Sequence, residues 1–372
     1  MKPVLVVGAG QLGLMMAAAG ARFGIPVDRL DHVTGELVPG TSDLRLEISL
    51  KEIEKRYSVI TAELEHLGDT ELLNSIKATS SWCNAAAFEI LPTREKQKQM
   101  LDELGVISAP WLFLAEQADL EKAHATLGDK LVVKSVRNGY DGKGQWRPIA
   151  GQATDIPGEI YGELIAEAMV DFSREVSLVG ARFASGEYYF FPLTENYHHE
   201  GILRYSLGPA PKTSAVQGQA ETMLSTIMQH LDYVGVMAME CFETEQGLIV
   251  NELAPRVHNS GHWTQAGSDY SQFDLHLSAL TGAAAPHQPE GFAVTVMLNL
   301  IGCEWNREWQ ALPGIQCYWY GKERRDKRKL GHINLSAATA AELVRNCEGL
   351  MPYLDEEHRG FLAEAIALIK AP

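Results

Sequence analysis

Short apolar runs punctuated by glycine set the hydrophobic pattern at the start of the chain. Residues 4–7 are Val-Leu-Val-Val, the sequence Gly-Ala-Gly-Gln-Leu-Gly follows at 8–13, and residues 14–19 are apolar. This order predicts a buried strand, a tight turn and a helix, as in a dinucleotide-binding βαβ unit. The signal is weak alone, because any helix N-terminus that approaches an anion can use the same glycines.

Residues 59–65, Val-Ile-Thr-Ala-Glu-Leu-Glu, predict a later strand of the same unit. This strand carries Glu63 and Glu65 at a position where strand ends of a parallel sheet line a crevice. A solvated strand end is the alternative for both carboxylates, and the sequence alone slightly favours it. Residues 26–31 make only a poor second strand. We therefore predict one small doubly wound unit over residues 1–92.

The central stretch of the chain is a lysine at the end of an apolar run, followed by a glycine-rich loop. Residues 131–133 predict a strand that ends at Lys134, and residues 145–149 predict a returning strand. Glycines expose backbone N–H groups that can cradle a phosphate, while lysines add positive charge. A mobile hairpin tip with solvated lysines is the alternative, and the stretch alone does not decide between them. The loop residues concerned are Gly139, Gly142, Lys143 and Gly144.

Two further features flank this stretch. A helix is predicted after Pro92, with Thr93 as its N-cap. Residues 161–170 and 175–182 predict strands that carry Glu167 and Glu175. Surface carboxylates are the default interpretation of both glutamates.

Residues 235–242 and 247–253 predict a hairpin with a three-residue turn centred on Gln246. That turn places Glu240 opposite Glu252, with Cα atoms about 4.5–5.5 Å apart. Like charges there are destabilising unless a cation lies between them or one carboxyl is protonated. Mg²⁺ takes one or two carboxylates together with substrate phosphates, so the pair predicts a magnesium site. A slipped register that separates the glutamates is the alternative. The same register pairs Thr244 with Leu248 and Phe242 with Val250.

Two polar segments follow the hairpin. Residues 256–264 read Arg-Val-His-Asn-Ser-Gly-His-Trp-Thr, and the arginine, the histidines and the amide predict the wall of a polar pocket. Residues 322–329 hold six basic residues in eight positions. A solvated turn, a nucleic-acid patch and a phosphate pocket are three interpretations of that second segment.

The composition of the chain excludes some classes of binding partner but says little about the fold. The chain has 372 residues and a formal net charge of −16, which argues against general binding to nucleic acid or to an anionic membrane. No apolar run approaches the roughly 20 residues that span a bilayer, and the N-terminus does not read as a signal peptide. The five scattered cysteines indicate free thiols in a reducing compartment. We therefore predict a cytoplasmic protein whose basic segment suits a phosphorylated substrate.

Taken together, these residues resemble the ATP-grasp ligases. The resemblance rests on Lys134 with its glycine-rich loop, on the pair Glu240 and Glu252, and on Asn-Glu-Leu-Ala-Pro-Arg at 251–256. The string at 256–264 and the Gly-Gln-Leu-Gly at 10–13 are similar to the branch that carboxylates aminoimidazole ribonucleotide in purine synthesis. Two departures concern the ribonucleotide: that branch usually has arginine in place of Leu14, and Arg-Pro-Gly-Arg-Lys in place of residues 325–329.

The resemblance implies an α/β fold (α+β overall) in three parts. These are an N-terminal doubly wound pre-ATP-grasp domain at 1–92, an ATP-grasp domain at 93–281 with a mobile lid at about 109–166, and a small C-terminal domain at 282–372. The implied reaction uses ATP to convert bicarbonate to carboxyphosphate, which then carboxylates 5-aminoimidazole ribonucleotide. ATP, Mg²⁺ (two ions) and bicarbonate are the implied cofactors and co-substrate, and a homodimer is the implied assembly.

The resemblance also implies which residues contact each ligand. ATP would contact Arg94, Lys134, Gly139, Tyr140, Asp141, Gly142, Lys143, Gly144, Gln145, the adenine hinge Glu167, Ala168, Met169 and Val170, and also Glu175, His198, Asn251 and Glu252. Mg²⁺ would be held by Glu240 and Glu252. The catalytic residues would be His198, Arg256, His258 and Asn259. The ribonucleotide would contact Gln11, Tyr140, Asp141, Ser260, Lys322, Arg328 and Lys329.

Three other functions remain at the level of sequence. Another ATP-grasp ligase of a purine precursor, such as a formate-using transformylase, would not account for the string at 258–264. An NAD-dependent oxidoreductase would rest on the first glycine-rich turn and would leave the second loop and the glutamate pair unused. A non-catalytic nucleotide sensor would bind ATP without turning it over.

Overall fold

A computed structural model describes residues 3–137, 144–289 and 291–371 of the chain. The strands in these ranges are β1 (Val4–Val7), β2 (Val27–Leu30), β3 (Leu37–Val38), β4 (Val59–Ala62), β5 (Trp111–Leu114), β6 (Leu131–Ser135), β7 (Gln145–Trp146), β8 (Leu164–Ala168), β9 (Arg174–Arg182), β10 (Tyr188–Phe190), β11 (Thr194–His199), β12 (Ile202–Gly208), β13 (Gly235–Thr244), β14 (Gly247–Ala254), β15 (Val294–Ile301), β16 (Ile315–Trp319) and β17 (Lys329–Ala337). The helices are α1 (Gln11–Arg22), α2 (Leu50–Arg56), α3 (Glu71–Lys77), α4 (Ala85–Ile90), α5 (Arg94–Glu103), α6 (Asp119–Leu127), α7 (Gln217–His230), α8 (Thr264–Gly267), α9 (Gln272–Leu280), α10 (Ala340–Leu350) and α11 (Glu356–Lys370).

The N-terminal sheet has the strand order β3-β2-β1-β4, with β1 parallel to β2 and to β4. Val4 and Val6 pack into a core with residues of α1 and α9, whereas Leu5 and Val7 pack into a core with residues of α2 and α3. Because a strand covered on both faces has no polar side, its sequence is a continuous apolar run. The predicted strand, glycine turn and helix at the N-terminus are confirmed.

The prediction that residues 26–31 make a poor strand is wrong, since β2 is buried along its whole length. Its two charged residues are buried with partners. Asp28 accepts hydrogen bonds from the Tyr57 hydroxyl at 2.8 Å and from Arg56 at 2.7 Å. Arg29 donates to the carbonyl oxygens of Gly40 and Ser42. Hydrogen bonding therefore offsets the cost of burying charge, which an apolar pattern does not reveal.

A second sheet, with the order β5-β8-β6-β7, packs against α6 around a separate small core. Its strands β6 and β8 are antiparallel, and Val132 of β6 lies opposite Glu167 of β8. Lys134 is two residues beyond Val132, so it shares the same face and is a diagonal neighbour of Glu167. This sheet coincides with the segment predicted as a lid, and we call it the lid sheet.

The largest sheet has the order β14-β13-β9-β11-β12-β15-β17-β16, with β10 paired to β9. Strands β15 to β17, which lie in the predicted C-terminal domain, join it through the antiparallel pair β12–β15. Their core also contains residues of α10 and α11. The sheet therefore runs without interruption from the hairpin β13–β14 into the C-terminal part of the chain.

The hairpin β13–β14 confirms the predicted glutamate pair but not the predicted turn. Glu240 lies opposite Glu252, whereas Thr244 pairs with Gly247 and Glu243 with Leu248. The turn therefore has two residues instead of three, and a β-bulge between Glu240 and Cys241 restores the pairing of the glutamates.

No helix in the described ranges is long and apolar enough to cross a membrane. The five cysteines are free thiols, and three of them, Cys241, Cys303 and Cys347, are buried.

Candidate functional site

Two adjoining cavities, of about 330 and 360 Å³, contain most of the described candidate residues. The first lies between the lid sheet and the hairpin β13–β14, and we call it the lid-side cavity. The second lies between the N-terminal sheet and the loop after β14, and we call it the N-terminal-side cavity. His198, Glu240 and Glu252 line both cavities, so these three side chains form a shared wall.

The lid-side cavity brings together the described residues that the family resemblance assigns to ATP. It is lined by Arg94, Lys134, Gln145, Glu167, Ala168, Met169, Val170, Glu175, His198, Asn251 and Glu252. Gly144 lies just outside it, has a φ of +66°, and accepts a hydrogen bond from the Ser135 N–H at 2.9 Å. The other predicted loop residues, Gly139, Tyr140, Asp141, Gly142 and Lys143, lie outside the described residues.

A buried ionic cluster forms one end of this cavity. Glu167 accepts from Lys134 Nζ at 2.6 Å and from Lys98 Nζ at 2.9 Å, one lysine on each carboxylate oxygen. Burial raises the pKa of Glu167, but the two lysines outweigh burial, so the pKa lies below its usual range. Lys134 also donates to Asn251 Oδ1 at 3.2 Å. The prediction that Glu167 is a surface carboxylate is therefore wrong, since its carboxylate is buried between two cations.

The bulge in β14 explains why two consecutive residues both line this cavity. Consecutive residues of a regular strand point to opposite faces, whereas a bulge sets two residues opposite one. Asn251 is the extra residue, because Cys241 pairs with Val250 and Glu240 pairs with Glu252. An amide beside Lys134 and a carboxylate beside Arg94 therefore share one wall of the cavity.

Both members of the glutamate pair have raised pKa values, mainly because of burial, and the facing carboxylate contributes at Glu240. Burial, together with Glu252 and Glu175, raises the pKa of Glu240 to about 7. Burial and then Glu65 raise the pKa of Glu252, while Arg94 and Lys134 lower it. Neutralisation by a cation would relieve this repulsion. Glu175, whose predicted default was a surface carboxylate, lies within the cavity wall, 3.1 Å from His198 Nδ1.

Part of the lining of the lid-side cavity is apolar. The rings of Phe172 and Phe242 are stacked with centroids 4.5 Å apart, and both rings line the cavity together with Val132 and the exposed Met169. A flat heterocycle is the kind of group that such a surface accommodates. The cavity thus combines apolar and cationic groups, as the base and the phosphates of a nucleotide require.

The N-terminal-side cavity holds the predicted reaction-centre residues Arg256, His258 and Asn259. Arg256 Nη2 lies 2.8 Å from Glu65 Oε1, which ties the loop after β14 to the end of β4. Glu65 also lines this cavity, and its side chain is 15% exposed. The prediction that Glu65 belongs to a solvated strand end is therefore wrong, because its carboxylate is taken by an arginine of the site.

His258 is held as a neutral ring by a chain of buried hydrogen bonds. The Ser260 backbone N–H donates to His258 Nδ1 at 3.3 Å, so Nδ1 is an acceptor and the proton lies on Nε2. The Ser260 hydroxyl lies 2.9 Å from the same nitrogen and accepts from Ser177 at 2.8 Å. Ser177 in turn accepts from Asn196 at 2.9 Å. Burial and then Arg256 hold the pKa of His258 well below its usual range, which agrees with a neutral ring.

Some residues predicted to contact the ribonucleotide lie outside the lining of this cavity. Ser260 is fully buried, and its hydroxyl orients His258 instead. Lys322 donates to Gln11, which does line the cavity, and Arg328 donates to the backbone oxygen of Glu323 at 3.1 Å. Of the basic segment, the cavity is lined by Lys327 and Lys329.

Glu63 is buried, so the interpretation of this residue as a solvated strand end is also wrong. Its carboxylate accepts hydrogen bonds from the backbone N–H groups of Gly10 and Gly13, at 2.6 Å for Gly13. A Cβ atom at Gly8 would lie 2.3 Å from Glu63 Cγ, so the glycine leaves room for the glutamate. The N-terminus of α1 thus binds a carboxylate of the chain itself. This occupancy argues against a dinucleotide pyrophosphate at the same turn.

Glu63→Gln is expected to lower the free energy of unfolding by about 2–3 kcal/mol, since an amide accepts at one atom only and turns an N–H₂ group toward backbone donors. Urea unfolding followed by tryptophan fluorescence measures this change. Glu54→Gln, at an exposed position in α2, is the matched control and should leave stability unchanged. Equal stability of the two variants would contradict the assignment.

Comparison with known proteins identifies the family. Residues 99–273 match the family described as ATP-grasp domain, and residues 295–346 match the family described as phosphoribosylaminoimidazole carboxylase C-terminal domain. The N5-carboxyaminoimidazole ribonucleotide synthase of Escherichia coli (strain K12) is 45% identical over 358 residues, which cover 96% of this chain and 97% of that protein. The chain belongs to the N5-carboxyaminoimidazole ribonucleotide synthase family. The ATP-grasp fold and the ligase class predicted from the sequence are therefore confirmed.

Solved structures of this family share the fold along nearly the whole chain. The synthetase from Thermus thermophilus superposes with a TM-score of 0.85 at 33% identity, covering 95% of this chain and 99% of that one. The synthase from Aspergillus clavatus, in complex with ADP and 5-aminoimidazole ribonucleotide, has a TM-score of 0.80 at 26% identity, covering 94% and 98% of the two chains.

Sequence reasoning missed several residues of the two cavities. Phe172 and Phe242 carry no motif, and their role depends on the connection between β8 and β9 meeting the strand β13. Lys98 could have been found, because it lies four residues after Arg94 on a predicted helix and therefore on the same helix face. Other cavity residues that were not predicted are His66, Arg147 and Lys327.

Proposed function

We propose that the chain carboxylates 5-aminoimidazole ribonucleotide with bicarbonate and ATP, giving N5-carboxyaminoimidazole ribonucleotide, ADP and phosphate in purine biosynthesis. The observation that carries the proposal is the wall that the two cavities share. A nucleotide in the lid-side cavity would place its terminal phosphate near His198, Glu240 and Glu252, which also face the N-terminal-side cavity. A phosphoryl group could thus pass to an acceptor in the second cavity without leaving the site.

The chemistry has two steps. A bicarbonate oxygen attacks the γ-phosphorus, the bond to ADP breaks, and carboxyphosphate forms. The exocyclic amine then attacks the carboxyl carbon, phosphate leaves with the bonding electron pair, and the nitrogen loses a proton. Both steps develop negative charge on oxygen, so fixed cations and N–H donors are the groups that stabilise them.

The side chains of this chain supply those groups. Arg94 and Lys134 would bind the ATP phosphates, with the adenine between Met169 and the stacked rings of Phe172 and Phe242. Arg256 and the Nε2–H of neutral His258 would bind the carboxyphosphate. A neutral histidine donates one hydrogen bond without adding a proton to an acid-labile acyl phosphate.

The residues present fit Mg²⁺. Glu240 and Glu252 offer carboxylate oxygens, and Mg²⁺ completes its coordination with substrate phosphates and water. No group of three or more His, Cys, Asp or Glu residues that could hold a metal occurs in the described ranges, as expected where phosphates supply the remaining ligands. When held by Glu240 and Glu252, Mg²⁺ would neutralise charge that develops on the phosphates. Two ions are part of this proposal.

The remaining predictions on organisation are also proposals. Domain boundaries at 92–93 and 281–282 are supported by the ATP-grasp match at 99–273 and by the C-terminal match at 295–346. The proposal of no nucleic-acid or membrane partner agrees with the net charge of −16, whereas the homodimer is implied by the family resemblance alone and the cytoplasmic location by the free cysteines. Sedimentation equilibrium would test the assembly.

ADP release in the presence of bicarbonate and Mg²⁺, with and without 5-aminoimidazole ribonucleotide, tests the proposed function. We expect ADP release to rise strongly when the ribonucleotide is added, and the product to carry label from [¹⁴C]bicarbonate. Turnover that is indifferent to the ribonucleotide, or that uses formate in place of bicarbonate, would overturn the substrate assignment. ATP binding without turnover would indicate a nucleotide sensor.

Mg²⁺ is expected to stabilise the protein more at pH 8 than at pH 6. In the metal-free protein the pKa of Glu240 is raised to about 7, above that of an unfolded glutamate. Between these two values the folded chain retains a proton that the unfolded chain loses, so its free energy of unfolding falls as pH rises. Mg²⁺ competes with that proton and binds better above pH 7. Thermal unfolding with and without Mg²⁺ at both pH values measures the difference, and Glu240→Gln should reduce its pH dependence to the part that comes from the raised pKa of Glu252.

A further inference from the structure

Lys98, on α5, belongs to the buried ionic cluster of the lid-side cavity, and it lines the phosphate end of that cavity together with Lys134 and Asn251. Its side chain is 3% exposed. Besides Glu167 Oε1, Lys98 Nζ contacts the carbonyl oxygen of Ala109 at 3.1 Å and the Ser108 hydroxyl at 3.3 Å. The lysine therefore links α5, the segment that leads into the lid sheet, and the strand β8.

The cluster has an unequal number of charges. Lys98 and Lys134 each carry one positive charge and share the single negative charge of Glu167, so the three side chains sum to one positive charge. Without Lys98, Glu167 and Lys134 would form a neutral pair, and Glu167 would have no second cation. Lys134 is the member of the cluster that also faces Asn251 and the phosphate end of the cavity.

We propose that Lys98 is a positioning residue for nucleotide binding, which keeps Lys134 available to the phosphates by taking one oxygen of Glu167. This role requires no contact between Lys98 and the ligand or the reacting atoms. It acts through Glu167, whose carboxylate would otherwise hold Lys134 with both oxygens. The inference rests on the proposed function to the extent that the lid-side cavity binds adenine nucleotides.

The burial of Lys98 indicates that its position in the ionic cluster serves a function. Burial lowers the pKa of Lys98, and Glu167 opposes that change. A buried ammonium group is retained at a cost unless it is well paired, and an apolar side chain of similar size is often no less stable in its place. Stability alone therefore does not explain why Lys98 is present beside Glu167. Its effect on the charge available at Lys134 is a functional explanation.

The test measures how the effect of a Lys98 substitution depends on ligand charge. Lys98→Gln removes the charge but keeps an N–H donor for Glu167, and Lys98→Arg is the matched variant that keeps the charge. Titration calorimetry with adenosine, ADP and ATP, in buffer free of bicarbonate, gives the affinities. We expect Lys98→Gln to weaken ATP and ADP by about tenfold or more and adenosine by about twofold or less, while Lys98→Arg stays near the wild type.

The outcomes separate the inference from its alternatives. An equal loss for adenosine and ATP would mean that Lys98 shapes the adenine end, and an unchanged affinity for all three would mean that it has no role in binding; either result overturns the proposal. If Lys98→Gln does not fold, Lys98→Met is measured in its place. If neither variant shows a cooperative unfolding transition, Lys98 is required for folding, and the proposal is overturned. A wild-type protein that binds none of the three ligands would instead refute the proposed function.

Discussion

Glu252→Gln is expected to lower kcat for bicarbonate-dependent ATP turnover by about a thousandfold, because the proposed phosphoryl transfer would depend on a cation held at this carboxylate. Glu252 lines both cavities and lies opposite Glu240 across the hairpin. The amide keeps the size of the side chain and removes its charge, and Arg94, 3.9 Å from Glu252, stays in place. Steady-state ADP release at several Mg²⁺ concentrations measures kcat and the apparent affinity for Mg²⁺ separately.

Glu245→Gln is the matched control for this substitution. It removes the same charge from the same hairpin, at an exposed position in the turn, and should leave kcat and the dependence on Mg²⁺ unchanged. A second control is the unfolding temperature in the absence of Mg²⁺. This temperature should not fall in Glu252→Gln, since burial and Glu65 both disfavour the charged form of Glu252. Full activity of Glu252→Gln at ordinary Mg²⁺ concentrations would rule out a metal at this pair.

The glutamate pair shows how local sequence reasoning can reach a correct contact through an incorrect register. A three-residue turn with a regular ladder and a two-residue turn with one bulge both place Glu240 opposite Glu252. The sequence specifies the number of residues between the glutamates but not where the extra residue is inserted. The difference matters for Asn251, which a regular strand would direct away from Glu252 and which the bulge brings beside Lys134.

Residues that depend on distant partners were harder to predict. Glu63 reads as a polar strand end until Gly10 and Gly13, some 50 residues earlier, supply N–H donors to its carboxylate. Glu167 likewise reads as a surface group until lysines of α5 and β6 converge on it. A single sequence gives the period of each element, whereas these pairings follow from the way the elements pack. Carboxylates that follow buried strands were therefore assigned to solvent too readily.

The family resemblance was more informative than composition because its motifs lie at fixed structural positions. Lys134 ends β6, Glu252 lies in β14, and the string at 256–264 continues directly from that strand. Each motif thus brings its side chains to the same pair of cavities. Residues 325–329 differ in sequence from the motif usual in the family, and they also contribute different side chains to the site than predicted. Lys327 and Lys329 line the N-terminal-side cavity, whereas Arg328 donates to a backbone oxygen.

Arg256→Met is expected to uncouple the two chemical steps, lowering the rate of carboxylation by about 100-fold to 1000-fold and the rate of ADP release by less. Arg256 lies in the cavity where carboxyphosphate would meet the amine, and Glu65 holds its guanidinium at 2.8 Å. Without this cation the acyl phosphate would lose a fixed counter-charge and would be hydrolysed by water before the amine attacks. The ratio of ADP formed to [¹⁴C]bicarbonate incorporated measures this loss, and it should rise well above one.

Two control variants make this ratio diagnostic. Arg307→Met removes the same type of charge from a side chain that is 89% exposed, and it should leave the ratio at one. Arg256→Lys keeps the charge but loses the planar fork that binds both Glu65 and the backbone oxygen of Val257, so an intermediate ratio is expected. A ratio of one in Arg256→Met, with both rates lowered equally, would instead show that Arg256 acts before carboxyphosphate forms. Arg256 would then act in the phosphoryl-transfer step, together with Glu252.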